Sequence, residues 1–357
     1  MDGSITSPME RALNVTTNIQ PNISMSQTHA AIFSTLTITT MMLGIVGNLM
    51  VFLAVALSKG LQNSINVFVV NLSISDFISA IILLFQAAAL LFESEWPFSK
   101  GLCDLAGALI LWTSCTSILT LTAIAVNRYI VITKTKRLQQ RIYTRRGNTL
   151  MVALLWMFPF LVLVIPQLIP ATGGIVYDPI FRTCIWDSEH PLATVFQRIA
   201  MVNSISCTVI IVFCYTAIYC FVRRHVKRTL RNSSEIIEME DRSNKRTSPR
   251  GPSINQIKIT KNLALVVLVV FICNLPFALN LSVKKFGVYS VYLALLAILP
   301  FCLNPMIYAA RHPQFQVVFK CMLFCRFRDV PHPSEWLKAL LRTTGSANRA
   351  TRSSPTI

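Results

Sequence analysis

The chain has 357 residues, of which 53% are hydrophobic and only 13% charged, with a net charge of +18. Soluble domains carry about 25% charged residues, so these charges are too few to clothe a water-facing surface of this length. The positive excess invites a nucleic-acid partner, but it sits in alternate loops between long apolar runs, which excludes nucleic acid and points to a membrane.

A helix needs about 20 apolar residues to cross about 30 Å of hydrocarbon. Seven runs reach that length: Ala30–Leu57, Asn66–Phe92, Leu105–Ile132, Gly147–Pro170, Thr194–Phe221, Asn262–Val283 and Phe286–Ala310. One such run would read as a buried core helix. Seven, separated by polar loops, read as membrane-crossing helices, numbered here as spans one to seven. Lys59 lies in the first loop, and Lys134, Lys136, Arg137, Arg141, Arg145 and Arg146 lie in the third. Arg223, Arg224, Lys227, Arg228 and Arg231 follow span five, and Lys258 and Lys261 precede span six. The amino-terminal segment and the other loops carry few basic residues. This asymmetry predicts an extracellular amino terminus and a cytoplasmic carboxyl terminus. Residues 1–29 have no basic start followed by a short apolar run, so span one is expected to act as the insertion signal. Asn14 (Asn14-Val-Thr16) and Asn22 (Asn22-Ile-Ser24) head glycosylation sequons in that outer tail.

Along the chain, span one carries Gly44, Gly47 and Asn48. The glycines permit close helix approach, and Asn48 needs a partner that a neighbouring helix can supply. Span two opens with Asn71-Leu-Ser-Ile-Ser-Asp76. An acid mid-membrane costs about 2.5–3.5 kcal/mol on insertion scales and is a functional hypothesis by default. Trp96-Pro-Phe98 follows in the first outer loop, where such an aromatic pair packs the loop. Span three runs without a charge from Leu105 to Asn127 and then meets Arg128, again an ionisable group that needs pairing or water. The loop Lys134–Arg146 is short and basic, suited to lipid headgroups or to acidic partner surfaces. Span four holds Trp156, Pro159, Pro166 and Pro170, and the loop after it holds Arg182-Thr-Cys184-Ile-Trp186. Arg198 stands near the outer end of span five, and Tyr215 near its inner end. Residues 222–261 read as a linker with an acidic patch at Glu235–Asp241, whose basic ends extend spans five and six. In span six Pro276 removes a backbone hydrogen bond and marks a hinge. Span seven ends in Asn304-Pro305-Met-Ile-Tyr308. Gln314–Cys325 reads as an amphipathic helix on the membrane surface, with Phe315, Val318, Phe319 and Met322 on its apolar face. Cys321 and Cys325 there are palmitoylation candidates.

Several of these motifs carry a resemblance. Asn127-Arg128-Tyr129 resembles the Asp/Glu-Arg-Tyr signature of rhodopsin-like G-protein-coupled receptors, and Asn304-Pro305-Met-Ile-Tyr308 matches the family's Asn-Pro-x-x-Tyr. Gly47-Asn48, Asn71 to Asp76, Trp96-Pro-Phe98 and Trp156 fall at the family's places in order, from Thr35 to Phe324. The resemblance implies an all-α membrane protein: a seven-transmembrane helix bundle with a short amphipathic cytoplasmic helix after span seven. Its parts would be an extracellular glycosylated tail (1–29), a receptor bundle (30–325, with cytoplasmic loop 222–261) and a disordered cytoplasmic tail (326–357). It further implies a plasma-membrane receptor rather than an enzyme, one that binds a small extracellular ligand and activates a heterotrimeric G protein. Receptor kinases and arrestin would act on the tail, with membrane lipids around the bundle. Cys103 and Cys184, both on the assigned outer side where disulfides persist, would pair.

By the same resemblance, the switch and coupling residues are Asp76, Ser117, Asn127, Arg128, Tyr129, Tyr215, Pro276, Asn304, Pro305 and Tyr308. Candidate ligand contacts, carried over by position, are Gln86, Ile110, Ser114, Asn203, Asn274, Phe277, Leu281 and Ala294. The departures from the family pattern are informative. Asn127 replaces an acid, which predicts a weakly restrained Arg128. Asn274 replaces a tryptophan, and Cys207 stands near the point of a missing proline. Asp76, Ser117 and Asn304 match part of a sodium site, but Pro300 and Phe301 stand where further polar groups are usual, so only a partial site is expected, with no other metal or cofactor. Ile110 stands where amine receptors carry an aspartate, and Ile298 where opsins carry the retinal-binding lysine. A neutral or lipid-like ligand is the expectation, with Lys284 and Lys285 near the outer mouth able to attract an acidic head. A melatonin-like indole or a peptide is the alternative. Within the family the motifs look like those of the invertebrate moody and trapped-in-endoderm receptors, then the melatonin receptors and the medium-chain fatty-acid-receptor orphan. A secondary transporter, the distant alternative, would show internal repeats, and none is visible.

Overall fold

The computed structural model describes residues 27–92, 96–169, 172–179, 181–187, 190–237, 264–265, 267–277, 279 and 290–350. Asn14, Asn22, Leu281, Lys284, Lys285, Lys258, Lys261 and the end of the chain from 351 lie outside them. Among the described residues, six helices are long and apolar enough to cross a membrane, and span six is described over Val267–Phe277. Span one is Gln27–Leu57, span two Ser64–Leu91, span three Lys100–Thr133 and span five Ala193–Ile237. Large apolar side chains such as Leu84, Leu150 and Val209 stay more than half exposed, as a hydrocarbon surround requires. The bundle is the one the sequence predicts.

Span four differs from the single helix expected over Gly147–Pro170. It is α-helical over Arg145–Pro159, widens to a π-helix over Phe160–Val164 and tightens to a 3-10 turn over Ile165–Leu168. Pro159 and Pro166 cannot donate to the α-ladder, and such prolines distort it locally. Its start is well specified: Thr144 caps it by accepting from Gly147 N–H at 3.0 Å. Span seven runs as Ser290–Ile298 and Pro300–Arg311, interrupted at Leu299.

The contact between spans one and seven follows from Pro305. Lacking an N–H, Pro305 leaves the carbonyl of Phe301 without its helical donor. Asn48 Nδ2 supplies the missing hydrogen bond at 2.8 Å and also bonds Gly44 O at 2.9 Å. Close approach is possible because position 47 is glycine: a Cβ there would sit 2.7 Å from Pro305 Cγ. Gly47→Val is therefore expected to lower stability by about 1–3 kcal/mol through overpacking, read as an earlier thermal transition of the purified protein. An unchanged melting temperature would mean that spans one and seven do not pack at this position.

A β-hairpin between spans four and five lies over one end of the bundle. Strand β1 (Ile175–Asp178) pairs antiparallel with β2 (Thr183–Trp186), and Tyr177 faces Cys184. The expected disulfide Cys103–Cys184 ties β2 to span three. The hairpin also rests on Gly107, where a Cβ would meet Ile175 Cγ2 at 2.6 Å. Arg182 and Trp186 are taken up in packing: Arg182 Nη1 donates to Phe92 O at 2.6 Å, and Trp186 is buried against Leu111 and Ala200. Trp96 packs edge-on against Phe98 and tilts onto Tyr177, so that loop is indeed packed by its aromatics.

At the opposite end the amphipathic helix expected after span seven is present. The amphipathic helix is Pro313–Leu323, and its residues Phe315, Val318 and Phe319 are buried in the main core beside Tyr308 and Leu72. Its apolar face thus turns to the bundle, while Val317, Leu323 and Phe324 are exposed. The segment from 326 onward, expected as a disordered tail, is described as far as Ala350. A 3-10 turn at Phe327–Asp329 leads to a terminal helix, Glu335–Ala350. Lys59 N–H donates to His332 O and Ser334 N–H to Leu57 O, both at 2.8 Å. Val330 and Leu337 are buried with Leu57 and Leu61, so burial of two apolar side chains against the first loop holds this segment.

Candidate functional site

Two polar clusters are buried in the bundle, one around Asp76 and one around Arg128. Asp76 accepts from Ser117 Oγ at 2.8 Å and from Asn304 Nδ2 at 2.6 Å, joining spans two, three and seven. Burial without such partners would be prohibitive for an acid. Ser75 and Ser117 hydroxyls lie 2.8 Å apart, and Ser79 and Thr113 hydroxyls 2.7 Å apart. One level further along, Asn71 Nδ2 donates to Thr120 Oγ1 at 2.7 Å while Asn71 Oδ1 accepts from Trp156 Nε1 at 2.8 Å. Trp156 is thus a polar tie between spans two and four as well as a packing group. For a sodium ion, the residues offer the Asp76 carboxylate, the Ser117 hydroxyl and the buried, unpaired Asn304 Oδ1. Phe301 contributes a buried ring packed with Met41, Leu83 and Ile298 rather than a polar group. Hard cations take sets of oxygen ligands, and this set does not complete one.

Arg128 is buried near the other end of span three, and its Nε has no hydrogen-bond partner. No carboxylate pairs with it among the described residues. Asn127 beside it is fully buried, with neither amide atom in a well-formed hydrogen bond. The hydroxyls of Tyr215 on span five and Tyr308 on span seven are also buried and unpaired, and both lie within electrostatic reach of the guanidinium. Tyr129 points to span five, its ring 6.0 Å from that of Phe213. Two neighbours escaped the sequence reading. Burial, and then the Arg128 charge, hold the His312 imidazole down at about 4, so it stays neutral at physiological pH. Burial pushes the Tyr143 phenol, which interacts with Asn127, up to about 12. His312 could have been noticed as an imidazole wedged between Arg311 and Pro313; nothing local marks Tyr143. Pro276 lies in the described part of span six, half-buried.

Leu281 apart, the candidate ligand residues lie on described parts of spans two, three, five, six and seven. Asn203 on span five donates to Cys115 Sγ at 3.4 Å, next to half-buried Ser114. Ile110 packs on the apolar cluster of Met41, Leu83, Ile298 and Phe301. Phe277 on span six meets Phe181 of the hairpin edge-on, with ring centroids 5.5 Å apart; Phe181, buried over the bundle, was not foreseen and has no sequence signal. Asn274 Nδ2 bonds back to Val270 O at 2.9 Å. Ala294 is buried and Gln86 half-buried. These residues, mostly apolar with amides on spans five and six, are the ones that would line a central ligand cleft.

Known proteins resemble this chain over much of its length. The family model described as 7 transmembrane receptor (rhodopsin family) matches residues 47–308. A Gq-coupled rhodopsin of Mizuhopecten yessoensis is 29% identical over 287 residues, 77% of this chain and 56% of the relative. Melatonin receptor type 1A of Ovis aries is 32% identical over 193 residues, 54% of this chain and 51% of the receptor. The G-protein coupled receptor moody of Drosophila melanogaster is 24% identical and covers 91% of this chain and 55% of the relative. The chain spans about half the length of these relatives. Squid rhodopsin superposes with a TM-score of 0.69 at 20% identity, covering 86% of this chain and 91% of that one.

Proposed function

The chain belongs to the rhodopsin family of seven-transmembrane receptors, and from that membership we propose that it is a ligand-gated receptor promoting nucleotide exchange on a heterotrimeric G protein at the plasma membrane. The carrying observation is Arg128, buried without an acidic partner among the described residues and within electrostatic reach of the unpaired phenols of Tyr215 and Tyr308. A guanidinium held this loosely can exchange neutral partners from spans five and seven when the bundle opens at that end. An agonist bound below the hairpin favours the open state only by binding it better than the closed one. The amino terminus, by the asymmetry of Lys and Arg, is extracellular, and the Arg128 end faces the cytoplasm, where kinases and arrestin would find the Ser- and Thr-bearing chain end. Cys325 is exposed and Cys321 buried, which favours Cys325 as the lipidated thiol.

The ligand is a neutral or lipid-like small molecule, because Ile110 offers no charge for an ammonium and Ile298 no amine for a Schiff base. The similarity to melatonin receptors makes an indole the second reading. The test is nucleotide exchange by the purified protein in lipid nanodiscs on a panel of heterotrimers, with lipids and indoles added first. Exchange on at least one heterotrimer is expected. Silence across the panel would overturn the coupling, and saturable binding of a protonated monoamine would overturn the ligand class.

A further inference from the structure

Spans three and four part near the hairpin around a cleft of about 620 Å³, within the range of small-molecule sites. Leu105, Leu168 and Ile169, which line it, also stand on the exposed apolar surface of the bundle. The cleft therefore opens sideways, toward lipid. It uses the face of span three that carries Leu105, Ala108 and Trp112, turned away by helical periodicity from Ile110 and Ser114 in the central cleft. Its depth is apolar, and its polar groups are gathered at one end. Trp112 Nε1 donates to Trp156 O at 2.9 Å, which fixes the relative height of the two spans. Counting along both from that contact brings Gln167 level with Lys100 and Asp104.

Gln167 is the group that calls for an occupant. It lines the cleft, its side chain is more than nine-tenths buried, and neither Nε2 nor Oε1 has a hydrogen-bond partner. A buried amide with both functions unmet is a standing cost, relieved when the side chain turns to a head group offering both a donor and an acceptor. Lys100 and Asp104 pair with each other at 2.9 Å, so the mouth has no uncompensated charge to attract an ionic head.

We propose that this cleft is a lateral binding site for a neutral single-chain lipid with an amide or hydroxyl head, of the N-acyl ethanolamine or monoacylglycerol class. The head meets the Gln167 amide at the hairpin end, and the chain runs along Trp112, Phe160 and Val164 toward the bilayer centre. The site does not depend on the receptor reading, since it lies outside the central cleft.

The test uses the full chain in phosphatidylcholine nanodiscs and a photoreactive N-palmitoyl ethanolamine carrying a diazirine in its chain. Saturable labelling is expected, mapping to peptides that contain Leu105–Trp112 and Phe160–Leu168. Gln167→Leu should weaken binding at least tenfold yet leave the melting temperature unchanged or raised, because it removes an unmet amide. Ala108→Trp fills the cleft without touching the amide and should block labelling, while Asn203→Leu in the central cleft should not affect it. Labelling that rises linearly with probe would mean annular lipid contact only and would overturn the site. So would adducts on peptides of the central cleft, persistent labelling in Ala108→Trp, or wild-type affinity in Gln167→Leu. Equal competition by palmitate would overturn the assignment of a neutral head.

Discussion

Asn127→Asp is expected to lower ligand-independent nucleotide exchange about tenfold, and Arg128→Ala to abolish exchange altogether. Asn127 is fully buried with no well-formed hydrogen bond, and Arg128 Nε next to it is unpaired. A carboxylate at 127 would convert this loose neighbourhood into a charge-assisted pair, which is about twice as strong as its neutral counterpart. Hydrogen bonds to charged groups contribute about 1.5–3 kcal/mol net, and each 1.4 kcal/mol is a factor of about ten in an equilibrium. The gain falls to the arrangement in which Arg128 pairs with position 127, and the open one loses population accordingly. Removing the guanidinium takes away the group that Tyr215 and Tyr308 would engage, so the open state gains nothing. The measurement is guanine-nucleotide exchange at matched amounts of folded receptor. Equal or higher basal exchange in Asn127→Asp would show that position 127 does not restrain Arg128, and persistent exchange in Arg128→Ala would remove the guanidinium from the switch.

How much of this was legible depended on whether the physics was local. Span length and hydropathy are local, so the helices could be placed before any coordinates. The Asn48–Phe301 bond was half legible: Asn48 plainly needed a partner and Pro305 plainly freed a carbonyl, but joining them required the packing of spans one and seven. The turn and helix after residue 326 have no local signal in the sequence. Ser334 caps the terminal helix by accepting from Leu337 N–H at 3.2 Å, and the decisive event, burial of Leu337 against the first loop, is a long-range contact without a periodic signature. The inward turn of Phe315, Val318 and Phe319 has the same origin. Periodicity shows that a helix has an apolar face, and only packing decides whether that face meets lipid or protein. Gln167 fell among the prolines of span four, where the change from α to π to 3-10 geometry redirects side chains in ways that a regular helical period cannot anticipate.

The Asp76 cluster gives the second large effect, one that separates two roles for a buried acid. Asp76→Leu removes the acceptor of Asn304 Nδ2, whose Oδ1 is already unpaired, leaving the whole amide unsatisfied at the junction of spans two and seven. Ser117 keeps the Ser75 hydroxyl as a partner, so the penalty falls mainly on span seven. One fully orphaned amide together with two lost hydrogen bonds costs about 2–4 kcal/mol, a large share of a total stability of about 5–15 kcal/mol. Asp76→Asn keeps the shape and one carbonyl acceptor, and should cost less than half as much. A pronounced drop in melting temperature and surface expression is expected for the leucine variant, with a near-normal melt for the asparagine variant. If both melted alike and near wild type, Asn304 would have another partner and Asp76 would not be the tie that holds span seven. If the asparagine variant folds but exchanges nucleotide at an altered rate, the effect belongs to the charge of the acid rather than to its shape, because Asn304 and Ser117 would still be held.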